Sequence, residues 1–237
     1  MISETNSPTN SLLDETTINT NTTNSTSSSL FKRNTDTQLG ITVHNVQGIN
    51  VNLKYLTWLQ YCNNLNTDII IMTETKLSAD HTHPTSLANP WFKTYTANCN
   101  EYNASTCQSV KGVAIALKPY LQPYIHDIKS IPGYALAIDL FFPNNNKTRI
   151  IGVYIPSQSS IQTNSAQQTI INWIQQARSF NFNTIIAGDF NSNANRKKPS
   201  TLITYLISSN LISLLNFYNI DDPTWQNNNT SSQIDDI

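Results

Sequence analysis

Three polar clusters in this chain stand directly at the ends of short apolar runs. They are Asn45 in Ile41-Thr42-Val43-His44-Asn45-Val46, Glu74 after Ile69-Ile70-Ile71-Met72-Thr73, and Gly188-Asp189-Phe190-Asn191 after Thr184-Ile185-Ile186-Ala187. Runs of this kind read as strands, and ligand sites in mixed α/β folds gather where strands end. A lone carboxylate such as Glu74 can ligate a hard cation or cap a neighbouring helix. Asp189 and Asn191 carry more information. Two residues apart in an extended segment, their side chains share one side. A carboxylate can accept a proton from water while a carboxamide hydrogen-bonds an oxygen, which suits an attacking water beside a magnesium-bound phosphate. Gly, Asp and Asn also favour turns, so a plain turn is the competing reading. Arg196-Lys197-Lys198 follows closely; such a run can contact a nucleic-acid backbone or simply be a solvated loop. Trp91, Phe92 and Tyr102 can offer stacking surface or anchor the core.

The elements that must position these groups follow from patterning. Ile41 to Val46 alternates apolar and polar residues, as a half-buried strand does. Leu53, Leu56, Trp58 and Leu59 recur at helical spacing. Asp68 to Met72, Val113 to Leu117 and Thr184 to Ala187 are apolar runs fit for buried strands. Tyr134 to Phe142 and Thr148 to Ile155 flank Pro143-Asn144-Asn145-Asn146 and read as a hairpin. Ala166, Ile170, Ile171, Trp173, Ile174 and Ala177 form one stripe of a helix over 163–179, capped by Asn164 or Thr163. Another helix is expected around Leu202 to Ser208. Residues 78 to 109 lack periodicity and read as loop with short elements. Strands mixed with helices suggest two packed sheets with helices outside.

The 237 residues, 38% of them hydrophobic, suffice for one domain with a sizeable core and some residues left over. Residues 1–38 are a Ser/Thr/Asn tract with too few apolar anchors to offset ordering entropy, so a disordered tail is expected there and a folded domain over 39–237. A net charge of -1 gives no bulk electrostatic support for nucleic-acid binding, although it can hide a local basic patch. Three cysteines argue against a disulfide scaffold. No basic, apolar leader and no membrane-length apolar run is visible, so an intracellular protein, nuclear or cytoplasmic, with no membrane partner is expected.

The clusters also come in the order of a known family's motifs. Val43-His44-Asn45-Val46-Gln47-Gly48, Thr73-Glu74-Thr75-Lys76, Gly152-Val153-Tyr154-Ile155-Pro156, Gly188-Asp189-Phe190-Asn191, and Pro223-Thr224-Trp225 followed by Ser232-Gln233-Ile234-Asp235-Asp236-Ile237 resemble the endonuclease/exonuclease/phosphatase, or deoxyribonuclease I-like, superfamily. The combination looks most like the endonuclease domain of non-LTR retrotransposons. The resemblance implies an α/β (α+β) fold, a four-layer sandwich of two packed mixed β-sheets flanked by helices. It implies a Mg2+- or Mn2+-dependent phosphodiester hydrolase, endonuclease-like on DNA, with RNA left open. By the same likeness Glu74 and Asn45 belong to the metal site, although Asn45 can equally contact phosphate. Asp189 orients or deprotonates the water, Asn191 hydrogen-bonds water or phosphate, and Tyr154 donates its hydroxyl to a phosphate oxygen. Asp235 matches an aspartate that supports the family's catalytic histidine. Asp236 stands where the family often carries an aromatic residue.

Members of that family continue to a final strand ending in Ser-Asp-His, whereas this sequence ends at Ile237. A domain lacking its last strand and weak or absent activity are therefore expected, as in a retrotransposon-derived fragment. A non-catalytic remnant or interaction module, or a phosphatase or lipid phosphodiesterase of the same superfamily, are the alternatives. His44, His81, His83 and His126 read as surface or structural residues, with His81 the nearest to a substitute.

Overall fold

A computed structural model describes residues 38–77, 89–99, 102–103, 108–109, 111–192, 199–218, 225–227, 230–232 and 235–236, all within one unit, Gln38–Ile237. The expected tail therefore lies outside the described residues except for Gln38. In chain order the strands are β1 (Ile41–Asn45), β2 (Ile69–Thr73), β3 (Lys93–Ala97), β4 (Tyr102–Asn103), β5 (Gln108–Ser109), β6 (Val113–Leu117), β7 (Ile125–Ile131), β8 (Ala135–Phe142), β9 (Asn146–Tyr154), β10 (Asn183–Asp189), β11 (Trp225–Asn227), β12 (Thr230–Ser232) and β13 (Asp235–Asp236). The helices are α1 (Asn52–Asn64), α2 (Ile161–Ser179), α3 (Thr201–Ser208) and α4 (Leu214–Phe217).

Two mixed sheets result. One has the order β1-β2-β6-β3 and the other β13-β10-β9-β8-β7. The β1–β2 and β10–β9 pairs are parallel, and the remaining pairs in both sheets are antiparallel. Alternation along β2 shows how the layers stack. Ile69 and Ile71 join Val113, Ile115, Leu136, Ile138 and Ile150 in the core between the sheets, while Ile70 and Met72 turn outward onto Tyr55, Leu59 and Cys62 of α1. On the other side, Ala137, Ile151 and Val153 pack against Ile170, Ile171 and Ile174 of α2 and Leu202 and Ile203 of α3. Helix, sheet, sheet and helix make the four expected layers. Strands buried on both faces have no polar side to alternate, which is why they read as continuous apolar runs.

Gly152 sits where the sheets meet. A Cβ there would lie 2.9 Å from Ile71 Cγ2 and 3.1 Å from Val113 Cγ1, so glycine permits this close approach. Buried Arg149 on β9 donates to both carboxylate oxygens of Asp139 on β8 at 2.6 Å, and to the Trp173 carbonyl of α2 at 2.7 Å. This ion pair ties the second sheet to its covering helix.

Some expectations need correction. The cap of α2 is Ser160, whose hydroxyl accepts from Thr163 N–H at 3.0 Å, so the helix begins before the proposed Thr163 or Asn164 caps. Of the expected α1 stripe, Leu59 is buried and Leu56 and Trp58 pack against the core, but Leu53 is 75% exposed, and Tyr55 and Cys62 complete the buried face. The 78–109 loop contains β3, whose Lys-Thr-Tyr-Thr-Ala sequence carries too few apolar residues to signal a strand. The same holds for β7, which carries Asp127 and Lys129 along the edge of its sheet, where charges deter unwanted pairing. Phe92 is buried and offers no stacking surface, and half-buried Trp91 packs beside it against the core. No described helix is long and apolar enough to cross a membrane.

Candidate active site

Asn45, Glu74, Tyr154 and Asp189 lie at the ends of β1, β2, β9 and β10. Asn45 is the last residue of β1 and pairs with Thr73, so Glu74 emerges directly beside it. Asp189 is the last residue of β10 and stands opposite Tyr154, the last of β9. The β1–β2 ends and the β9–β10 ends belong to different sheets, and Asn45 joins them. Its Nδ2 donates to Glu74 Oε1 at 3.0 Å and to Asp189 Oδ2 at 3.1 Å. Its Oδ1 accepts from Gln47 N–H at 3.1 Å, so amide nitrogen and oxygen are both engaged in this orientation. The two carboxylate oxygens therefore lie within two hydrogen-bond lengths of each other.

The backbone around them is held tightly. Glu74 has φ 50, Lys76 φ 54 and Gln47 φ 48, a left-handed region that costs such residues roughly 1–2 kcal/mol each. Hydrogen bonds hold them there: Gly48 N–H donates to the Glu74 carbonyl at 2.7 Å, Ile49 N–H to that of Thr75 at 3.0 Å, and Thr75 N–H to that of Gly112 at 3.2 Å. Non-glycine residues kept in this region by their surroundings cluster at functional sites. Gly188 serves Asp189 similarly, because a Cβ there would meet the Val153 carbonyl oxygen at 2.1 Å.

Asp189 is 1% exposed. Besides Asn45 it accepts the Asn191 N–H at 2.9 Å through Oδ1. Asn191 has φ 46. Extended spacing is therefore not what brings Asn191 close. A turn closed by the aspartate itself does so, and the turn and site readings of Gly-Asp-Phe-Asn describe the same structure. Burial pushes the Tyr154 phenol well up, and the charges of Glu74 and Asp189 push it further, so its proton is kept and available for donation at neutral pH. Lys76 Nζ lies 3.7 Å from Glu74 Oε2, a partner the motif reading did not assign.

Asp235 is the backbone neighbour of Asp189 across the β10–β13 pair. Arg196, Lys197 and Lys198 lie outside the described residues, as do His81 and His83. The described histidines face elsewhere. His44 stacks on Trp58 of α1 at 4.4 Å, and His126 stacks on Phe141 at 4.0 Å.

Among the described residues no group of three or more His, Cys, Asp or Glu side chains could hold a metal ion. Magnesium does not require one. It retains several waters and takes one or two carboxylates together with substrate phosphate. The Glu74 carboxylate is a hard oxygen donor of the kind magnesium takes and is the group that would hold the ion; Asn45 turns its amide nitrogen toward both carboxylates and its oxygen to Gln47 N–H.

The fold and these strand ends define a sandwich nuclease or phosphatase. The profile of the endonuclease/exonuclease/phosphatase family matches residues 43–237, and the chain belongs to that family. No curated protein matches it by sequence. A 3′ phosphatase, NExo, from Neisseria, bound to product DNA hairpin, is similar with TM-score 0.59 and 16% identity, over 84% of this chain and 85% of that one. The AP endonuclease LMAP from Leishmania major is similar with TM-score 0.57 and 14% identity, over 84% and 78% of the two chains. The endonuclease domain of TRAS1, a telomere-specific non-LTR retrotransposon, has TM-score 0.47 and 12% identity over 82% and 81%, too loose to assign ancestry.

Proposed function

We propose that this chain is a divalent-cation-dependent phosphodiester hydrolase, endonuclease-like on DNA and of retrotransposon origin. One observation carries the reading: a single amide, Asn45, spans the two sheets and holds the Glu74 and Asp189 carboxylates together. Glu74 would hold the cation, magnesium or manganese, and Asn45 fixes the spacing of the Glu74 and Asp189 carboxylates. When bound, the cation polarises the phosphoryl oxygens and offsets their growing negative charge. Asp189 orients the attacking water and takes its proton. Asn191 hydrogen-bonds the water or a phosphate oxygen, and Tyr154 donates its retained proton to a phosphate oxygen. Asp235 supports the site through its pairing with Asp189, and Arg196, Lys197 and Lys198 contact the DNA backbone.

A second reading, a folded but non-catalytic remnant, draws on the histidines. Neither described histidine turns toward the site. A phosphate-stabilising donor is worth roughly 10²–10³ in rate, so a site that works without one turns over slowly. Nicking of supercoiled plasmid with magnesium separates the two readings. Slow nicking that vanishes in Glu74→Gln and Asp189→Asn is expected. Folded wild-type protein that never nicks would leave only the remnant.

A further inference from the structure

One member of the Thr73-Glu74-Thr75-Lys76 segment has no part in the chemistry above. Lys76 Nζ lies 3.7 Å from Glu74 Oε2. The other oxygen of that carboxylate, Oε1, already accepts the Asn45 amide at 3.0 Å. The two oxygens of Glu74 are therefore used differently. Oε1 belongs to the bridge between the sheets, and Oε2 faces an ammonium. At that distance the ammonium is beyond hydrogen-bond reach and acts as a charge. The backbone aims it there. Lys76 has φ 54, and its N–H donates to the Lys111 carbonyl at 3.1 Å. Its stem runs past Gly48, where an added Cβ would lie 3.5 Å from Lys76 Cδ and 3.8 Å from its Cβ. Gly48 is itself tied to this corner, because its N–H donates to the Glu74 carbonyl at 2.7 Å.

We propose that Lys76 is a tethered countercharge that competes with the divalent cation for Glu74 Oε2, so that binding of the cation displaces its ammonium. This rests on the cation-dependent reading above. Three features support it. Oε2 is the Glu74 oxygen that Asn45 does not engage, so it is the oxygen a cation would take. Magnesium sits about 2.0–2.1 Å from a carboxylate oxygen, and an ammonium facing that same oxygen is repelled by the divalent charge. The Lys76 and Glu74 side chains are 31% and 23% exposed, so the lysine can swing into solvent without unpacking the core. An ion pair this exposed is weak, which makes it displaceable. Lys76 thus compensates the Glu74 charge until a cation of twice its own charge arrives.

The test is manganese binding to the full chain without DNA, read by electron paramagnetic resonance from the loss of free-ion signal, with magnesium as competitor. Lys76→Met and Lys76→Gln are each expected to bind manganese about two- to fivefold more tightly than wild type, the scale of an exposed ion pair. Lys76→Arg keeps the charge and is expected to keep the wild-type affinity. Lys54, which donates to the Val46 carbonyl at 2.7 Å, is the control for bulk charge. Lys54→Met is expected to leave manganese binding unchanged, and equal tightening there would overturn the proposal. So would unchanged or weaker binding in either Lys76→Met or Lys76→Gln. Wild-type protein that binds no manganese would overturn the cation-dependent reading itself. Wild-type binding that the Lys76 variants fail to tighten would overturn the role of Lys76 alone.

Discussion

Asn45→Asp turns the bridge of the site into a third carboxylate, and its cost can be worked from the geometry. The wild-type amide gives one hydrogen bond to each of Glu74 and Asp189, at 3.0 and 3.1 Å. Hydrogen bonds to charged groups are worth about 1.5–3 kcal/mol each. In the variant both are replaced by like-charge contacts, each costing about 4 kcal/mol at 4 Å and an effective dielectric of 20. The protein has a way to limit that sum, because the cluster can take up a proton. From an unfolded aspartate near 3.9, holding one carboxyl protonated costs about 1.4 kcal/mol per pH unit, or about 4 kcal/mol at pH 7. A protonated aspartate donates to only one of the two carboxylates, so the expected loss of stability at pH 7 is that protonation cost plus one hydrogen bond, about 5–7 kcal/mol. Its sign with pH follows. The introduced carboxyl has a raised folded pKa, so the protonation part of the loss is absent below the unfolded value and grows as pH rises. Magnesium at a hundred times its Kd is expected to add about 2.7 kcal/mol to whichever of the two proteins binds it. Urea unfolding of wild type and variant at pH 4.5 and 7, with EDTA and with magnesium, reads all three effects. Equal midpoints for the two proteins at pH 7 in EDTA would refute the idea that Glu74 and Asp189 share one amide.

Two further predictions concern the scaffold. Asp139→Ala strands the buried Arg149 guanidinium and is expected to lower the unfolding free energy by about 3–5 kcal/mol in denaturant titrations, whereas Asp139→Leu with Arg149→Met is expected to recover most of that loss. His44 has its pKa lowered by burial against α1 and then by the Lys54 charge, so the folded state resists its protonation. That contribution to stability is present above the unfolded value of about 6.5 and is lost as pH falls through the lower folded value; comparing wild type with His44→Gln between pH 7.5 and 5 is expected to show a steeper acid loss in the wild type.

The buried strands were legible because both of their faces are covered. Ile69 to Met72 and Val113 to Leu117 are apolar and buried at every position, and that demand is written locally. Strands β3 and β7 were not legible, because edge strands are stabilised by pairing with a neighbour far along the chain, and their own residues can be polar. The site residues were legible as types and order: a carboxylate or carboxamide directly after an apolar run marks a strand end whatever the rest of the chain does.

What the sequence alone determined was the family, the layers and the chemical character of the strand ends. Only the tertiary structure decided which of those ends meet. Asn45 and Asp189 are separated by 144 positions, and nothing local requires one amide to hold both Asp189 and Glu74. Packing the two sheets face to face, at the close distance Gly152 permits, brings their like ends together.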